Sequence, residues 1–132
     1  MIAIKKIVLN NMIDQAKAEL PNECCGYLGG KDGVITTQYT MFNIDQSPEH
    51  FSFDPKEQFE AMRNARSLGL KLVANYHSHP STPSRPSVED IKLAYDPTIL
   101  YLIISLAAEV PVVKAFSIVD SNVEEVQLNI ID

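Results

Sequence analysis

His77 and His79, separated by one serine in His77-Ser78-His79-Pro80, and the acid Asp90 are the residues of this chain whose types and spacing could hold a small metal ion. The run before them, Leu70 to Tyr76, reads as a buried strand. Side chains two apart on a strand point to the same face, so His77 and His79 project together. Past a loop holding Pro80, Pro83 and Pro86, Ser87-Val88-Glu89-Asp90 opens an amphipathic helix whose first turn can face Asp90 back toward the strand end. Two imidazole nitrogens and one carboxylate oxygen leave a tetrahedral ion one open position for water, which is the arrangement of a metal-dependent hydrolase. The same residues admit plainer readings. An H-x-H pair at a strand end occurs by chance on surfaces and in pockets. Ser87 with Asp90 also fits a helix capping box, in which the serine accepts from a backbone N–H and the acid reaches back to the cap.

A further acid stands upstream in Pro21-Asn22-Glu23-Cys24-Cys25-Gly26. Glu23, then His77-Ser78-His79-Pro80, six residues, Ser87, two residues and Asp90 together resemble the JAMM (MPN+) motif of the Mov34/PAD-1 metallopeptidases. The likeness extends to Glu23 through Gly30, which resembles the family's first strand, and to Tyr101 through Leu106, which resembles the strand after the metal-side helix. The resemblance implies one α/β domain over residues 1–132, a curved mixed β-sheet packed with helices in a cytidine-deaminase-like architecture. It implies that His77, His79 and Asp90 hold one Zn²⁺ ion per chain, that Glu23 is the general base and that Ser87 helps to stabilise the oxyanion. Each residue type suits its task. Zinc lowers the pKa of bound water from about 15.7 toward about 7. A carboxylate raised in a partly desolvated cleft can take that proton and return it to the departing amine.

Catalytic members of the family cleave peptide or isopeptide bonds after the glycine-rich tail of ubiquitin-like proteins. This compact chain resembles the small prokaryotic members that release cysteine from the C-terminus of a ubiquitin-like sulfur-carrier protein. That likeness includes Asn43 to Phe53 and Arg85 to Pro97. Removal of a ubiquitin-like modifier from isopeptide conjugates is the alternative enzyme reading, and a non-catalytic MPN scaffold is the alternative of another class. The intact Glu23, His77, His79, Ser87 and Asp90 argue against the scaffold. A homodimer is the ordinary expectation for a small enzyme of this kind.

At 132 residues, with 45% hydrophobic and 21% charged residues, the chain has the size and usage of one globular domain. A net charge of −6 argues against nucleic acid as a partner, because that affinity comes from clustered Lys and Arg. The longest apolar run, Ile99 to Ala108, is too short to span a bilayer, and the first residues show no secretory h-region, so a cytoplasmic protein without membrane contact is expected. Adjacent Cys24 and Cys25 cannot staple distant segments, which fits a reducing compartment.

The elements that must position these residues follow from periodicity and punctuation. Asn10 or Asn11 is expected to cap a first helix running to about Leu20 with Met12, Ile13, Ala16 and Leu20 inward, ended by Pro21. Cys25 to Leu28 and Val34 to Met41 form a hairpin across Lys31-Asp32-Gly33. After a polar loop from Phe42 to Phe53, Asp54-Pro55-Lys56-Glu57 reads as N-cap, N1 proline and capping-box acid of a second helix ending at Gly69, with Phe59, Met62 and Ala65 on its inner face. Ile99 to Leu106, Val112 to Val119 and Val123 to Ile130 read as strands, with turns at Pro111 and Asp120-Ser121-Asn122. Alternation assigns one of Cys24 and Cys25 to the cleft and the other to the core, and Tyr76 to the core rather than to catalysis. A cysteine nucleophile lacks an orienting third group. His50 has no partner in view, and Arg85 is either a solvated loop residue or a contact for a substrate carboxylate. No H-E-x-x-H is present, nor the P-C-x-x-C with H-x-E of nucleobase deaminases.

Overall fold

The computed structural model describes residues 1–132 as eight strands and three helices. In chain order these are β1 (Ile2–Lys5), α1 (Lys6–Ala18), β2 (Cys25–Lys31), β3 (Val34–Met41), α2 (Pro55–Ser67), β4 (Lys71–His79), α3 (Val88–Lys92), β5 (Leu100–Ser105), β6 (Val112–Val119), β7 (Asn122–Val126) and β8 (Leu128–Ile131). All strands join one mixed sheet in the order β7-β6-β5-β4-β2-β3-β1-β8. The edge strands β7 and β8 are consecutive in the chain, with Gln127 alone between them. The sheet therefore curls until its two edges almost meet, and α1 lies in the concavity against β1, β3, β5 and β8.

The β2–β3 hairpin forms as expected, with Asp32 and Gly33 both at positive φ (53° and 79°), the backbone a type I′ turn requires. Asp120 and Ser121 repeat that geometry between β6 and β7. Side-chain alternation divides the core into two layers. Ile2, Ile4, Val8, Leu9, Met12, Leu28, Tyr76, Leu102 and Ile104 fill the α1 side. Cys25, Tyr27, Met41, Ala61, Tyr101, Ile103 and Phe116 fill the α2 side.

Four expectations are corrected. The first helix begins at Lys6, directly after β1, so Asn10 and Asn11 lie inside it; its buried stripe is Val8, Leu9, Met12 and Ala16, and Leu20 lies beyond its end. The four-residue β1 carries an alternation too short to stand out in the sequence. In α2, Asp54 does cap through Lys56 N–H and Pro55 is the first helical residue, but Glu57 accepts from Phe42 N–H (3.0 Å) instead of closing a capping box, and so ties β3 to α2. That helix buries Ala61 and Ala65, whose small side chains allow close approach to the sheet, and leaves Phe59 and Met62 about half exposed. The run Val123 to Ile130 is two strands: β7 pairs antiparallel with β6, whereas β8 crosses to the other edge and pairs parallel with β1.

Gly26 illustrates how tightly the central strands are fitted. The Tyr76 ring of β4 lies against it, and a Cβ at position 26 would sit 2.4 Å from ring atoms. Gly26→Ala should destabilise the domain by about 1–3 kcal/mol through overpacking, read as a lower urea midpoint with unchanged slope. An unchanged midpoint would show that the β2–β4 contact yields without cost.

Candidate metal centre

β4 delivers the histidines. Its alternating side chains send Ala74, Tyr76 and Ser78 to the α1 side and Asn75, His77 and His79 to the α2 side, so Tyr76 is a core residue as expected. After β4 the proline-rich loop is bound to the sheet. The Ser84 hydroxyl donates to Val112 O (2.6 Å), and the Ser105 hydroxyl donates to Thr82 O (2.6 Å). The loop leads into α3, where the capping box is complete: Asp90 N–H donates to Ser87 Oγ (3.0 Å), and Ser87 N–H donates to Asp90 Oδ2 (2.9 Å).

The capping box and a metal set coexist here. Asp90 Oδ2 also lies 3.1 Å from His77 Nε2 and 3.1 Å from His79 Nε2, and those two nitrogens are 3.1 Å apart. Donors about 2.0–2.1 Å from a tetrahedral zinc ion are about 3.3 Å from one another, so the triangle has nearly the size such an ion needs. His79 Nδ1 lies 2.8 Å from Pro83 O, which can only accept. Nδ1 therefore carries the proton and Nε2 turns its lone pair into the cluster, as a metal-ligating histidine requires. The His77 ring is stacked on Phe51, with centroids 4.6 Å apart and planes 24° apart, which restrains its orientation. The residues present thus fit a divalent cation, whose charge would relieve the crowding of three electron-rich atoms.

Glu23 lies between α1 and β2 and is 4% exposed. Its Oε1 is buried with no hydrogen-bond partner. Burial, opposed by His79 and reinforced by Asp90 and Glu89, pushes its pKa up to about 8. Asp90 behaves oppositely. Burial disfavours its charge, but the two imidazoles beside it and the Ser87 N–H outweigh burial and hold its carboxyl well below the usual range. The cleft therefore contains one acid held ionised and another able to carry a proton near neutrality, the pairing that acid–base chemistry uses. The Ser87 hydroxyl accepts in the cap and donates no bond, so its proton is free.

A cavity of about 270 Å³ opens beside His77 and Asp90, walled by Phe51, Phe53, Leu93, Tyr101 and Ile103. A larger groove of about 740 Å³ along α2 contains none of these five site residues. His50 does find a partner, Asp45 Oδ2 at 3.1 Å, within the loop joining β3 to α2. Arg85 is exposed. The expectation that one cysteine lines the cleft is not met: Cys24 and Cys25 are both fully buried, on opposite faces of the sheet. Three residues that hold the site were not singled out from sequence. Ser78 accepts from Cys24 N–H (2.8 Å), Asn43 donates to Glu23 O (3.0 Å), and Phe51 covers His77. Alternation within His77-Ser78-His79 could have indicated Ser78; nothing local marks Asn43 or Phe51.

Comparison with known proteins places these features in context. Residues 5–119 match the family described as prokaryotic homologs of the JAB domain. The CysO-cysteine peptidase of Mycobacterium tuberculosis is 30% identical over all of this chain and 92% of its own length. The desampylase of Pyrococcus furiosus is 31% identical over 66% of this chain and 62% of its own length. A Desulfitobacterium hafniense protein solved in solution is 46% identical with a TM-score of 0.92, covering 100% of this chain and 94% of that one. A JAB1/MPN domain protein from Archaeoglobus fulgidus, 23% identical, shares the fold with a TM-score of 0.69 over 99% of this chain and all of that one.

The buried thiols can be separated from the chemistry by reactivity. Burial pushes the Cys24 thiol up to about 12, and Cys25 is raised further for the same reason, so neither forms thiolate at pH 7–9. Iodoacetamide should modify neither residue of the native protein across that range, and both after unfolding in guanidinium. Rapid native alkylation that abolishes turnover would instead put a cysteine in the mechanism.

Proposed function

The chain belongs to the prokaryotic JAB-domain family and is a JAMM-type metallopeptidase, and from that premise we propose its substrate and the roles of its residues. It hydrolyses the bond after the C-terminal Gly-Gly of a ubiquitin-like sulfur-carrier protein and releases cysteine or a short adduct. The observation that carries the reading is the triangle of His77 Nε2, His79 Nε2 and Asp90 Oδ2 beside the unpaired Glu23 carboxyl. Similarity to the CysO-cysteine peptidase along the whole chain supports the choice of leaving group.

His77, His79 and Asp90 hold zinc, which when bound supplies Lewis-acid activation of water and of the scissile carbonyl at neutral pH. A three-ligand set of this type suits zinc best among common divalent ions. Glu23, in its ionised form, takes the proton of the attacking water onto its carboxylate and gives it to the departing nitrogen, a shuttle suited to a carboxyl raised by burial. Ser87 donates its free hydroxyl proton to the developing oxyanion. His79 is kept in the ligating tautomer by Pro83 O, and Phe51 keeps the His77 ring in place. The apolar wall of Phe51, Phe53 and Leu93 excludes water from the reacting bond. No helix is long and apolar enough to cross a membrane, and we place the reaction in the cytoplasm.

A second reading keeps the machinery and changes the leaving group to the lysine of an isopeptide conjugate; similarity to the desampylase favours it over part of the chain. The two separate in one assay. A carrier protein extended by one cysteine after Gly-Gly, incubated with the enzyme and followed by mass spectrometry, should lose one cysteine, and a zinc chelator should stop the loss. An unchanged carrier beside a cleaved lysine conjugate would move the assignment to the isopeptidase. Glu23→Gln should retain one zinc per chain while turnover falls by about 10²–10⁴-fold, the range for a lost general base. Full turnover in that variant would remove Glu23 from the mechanism.

A further inference from the structure

Glu23 is aimed without any hydrogen bond to its carboxyl: Oε1 is buried and unpartnered, and no side chain or backbone group bonds either oxygen. The hydrogen bonds that fix this residue are all on its backbone. That backbone is not part of a strand, since β2 begins at Cys25. It hangs from four bonds: Glu23 N–H to Ser47 O (2.8 Å), Asn43 Nδ2 to Glu23 O (3.0 Å), Cys24 N–H to Ser78 Oγ (2.8 Å) and Ser78 N–H to Cys24 O (3.1 Å). The two on Glu23 itself arise in the loop after β3, and Asn43 organises that loop. It is 3% exposed. Its Nδ2 also donates to His50 O (3.1 Å), while its Oδ1 accepts from Asp45 N–H (3.0 Å) and Ser52 N–H (3.3 Å). One amide therefore closes the loop on itself and fastens it to the acid. The same loop supplies Phe51, stacked on His77, so the carboxyl and a metal-side imidazole are referenced to one piece of backbone.

We propose that Asn43 is a positioning residue of the reaction, one that sets the Glu23 carboxyl against the metal side chains by holding the Glu23 carbonyl to the 43–52 loop. The proposal rests on the reading of Glu23 as general base. An asparagine is required because the task needs an N–H₂ that donates to two carbonyls and an oxygen that accepts from two backbone N–H groups at once. Aspartate has the same shape and can keep the second half, but it turns an acceptor against Glu23 O and His50 O.

The test uses the full chain with its zinc, assayed on whichever adduct, cysteine or lysine, the wild-type protein cleaves. Asn43→Asp should lower kcat by about ten- to a hundredfold, the cost of misplacing a reacting group by an ångström or less, with KM and zinc stoichiometry unchanged. In a Glu23→Gln background the same substitution should cost almost nothing more, because the group it positions is already disabled. A merely structural role would lower residual turnover equally in both backgrounds, or would lose zinc, and either result overturns the proposal. If Glu23→Gln is itself fully active, the reading of Glu23 fails; if Glu23→Gln is inactive and Asn43→Asp retains kcat, that reading stands and the inference falls. Should Asn43→Asp not fold, Asn43→Ser, which can still accept from the loop but cannot reach Glu23 O, takes its place with the same expectations. Crystal structures provide a readout without substrate. The Glu23 carboxyl should be displaced in the variant while His77, His79 and Asp90 stay put, and an undisplaced carboxyl would refute the proposal.

Discussion

The antiparallel crossing of β2 over β4 is the constraint on which the site depends. Cys25 is in register with His77, so the residue two before it, Glu23, emerges level with His79 although neither element names the other in sequence. Ser78 strengthens this crossing from inside the histidine pair. Its hydroxyl accepts from Cys24 N–H, and its own N–H donates to Cys24 O (3.1 Å). Carboxyl and imidazoles thus share one local frame of two strands, stiffened by the Tyr76 ring packed on Gly26. The phenol is itself held, donating to Gln15 of α1 and accepting from Gln38 of β3 (2.9 Å). The register error that would separate Glu23 from the histidines also has to break this buried network, and a one-residue slip would turn every side chain of β4 to the wrong face.

Electrostatics complements the geometry. Glu23, Glu89 and Asp90 bring three acids to one cleft, an arrangement that repels itself unless charges are divided unequally. The division comes from surroundings. Asp90 faces two imidazoles and the N–H of Ser87, whereas Glu23 faces apolar burial with no donor. The first is held as an anion; the second is held closer to its neutral form.

The chemistry was more legible in the sequence than the architecture. His77, His79, Ser87 and Asp90 lie within fourteen positions, where strand alternation and capping rules relate them directly, and the structure brings them together in that relation. Strand and helix identities followed wherever periodicity was long, as in β3, β4, β5 and α2. The misses have long-range causes. β1 is four residues and is a strand only because β3 and β8 flank it. The break at Gln127 has no glycine or proline; its carbonyl accepts from Ile2 N–H (3.0 Å) as the chain changes sheet edge, an event that no local pattern records. The inward face of α2 went to Ala61 rather than to Phe59 because closeness to the sheet, not hydrophobicity, decides which side is buried. Asn43 looked like any loop asparagine, since its partners Glu23 and Ser52 lie 20 residues behind it and 9 ahead.

α3 is the weakest of the elements that build the site. It has five residues, none of them buried, and Val88 at its start is 86% exposed. Two of the three candidate ligands are therefore anchored in an eight-stranded sheet, while the third rides on a single helical turn held by its own cap and by Ile91 against the α2-side core. Such a turn opens far more often than the sheet does. Release of a cation held by this set would then follow the opening of one short turn rather than the unfolding of the sheet. Affinity and exchange rate can then drift apart during evolution through residues of α3 that touch neither ion nor substrate.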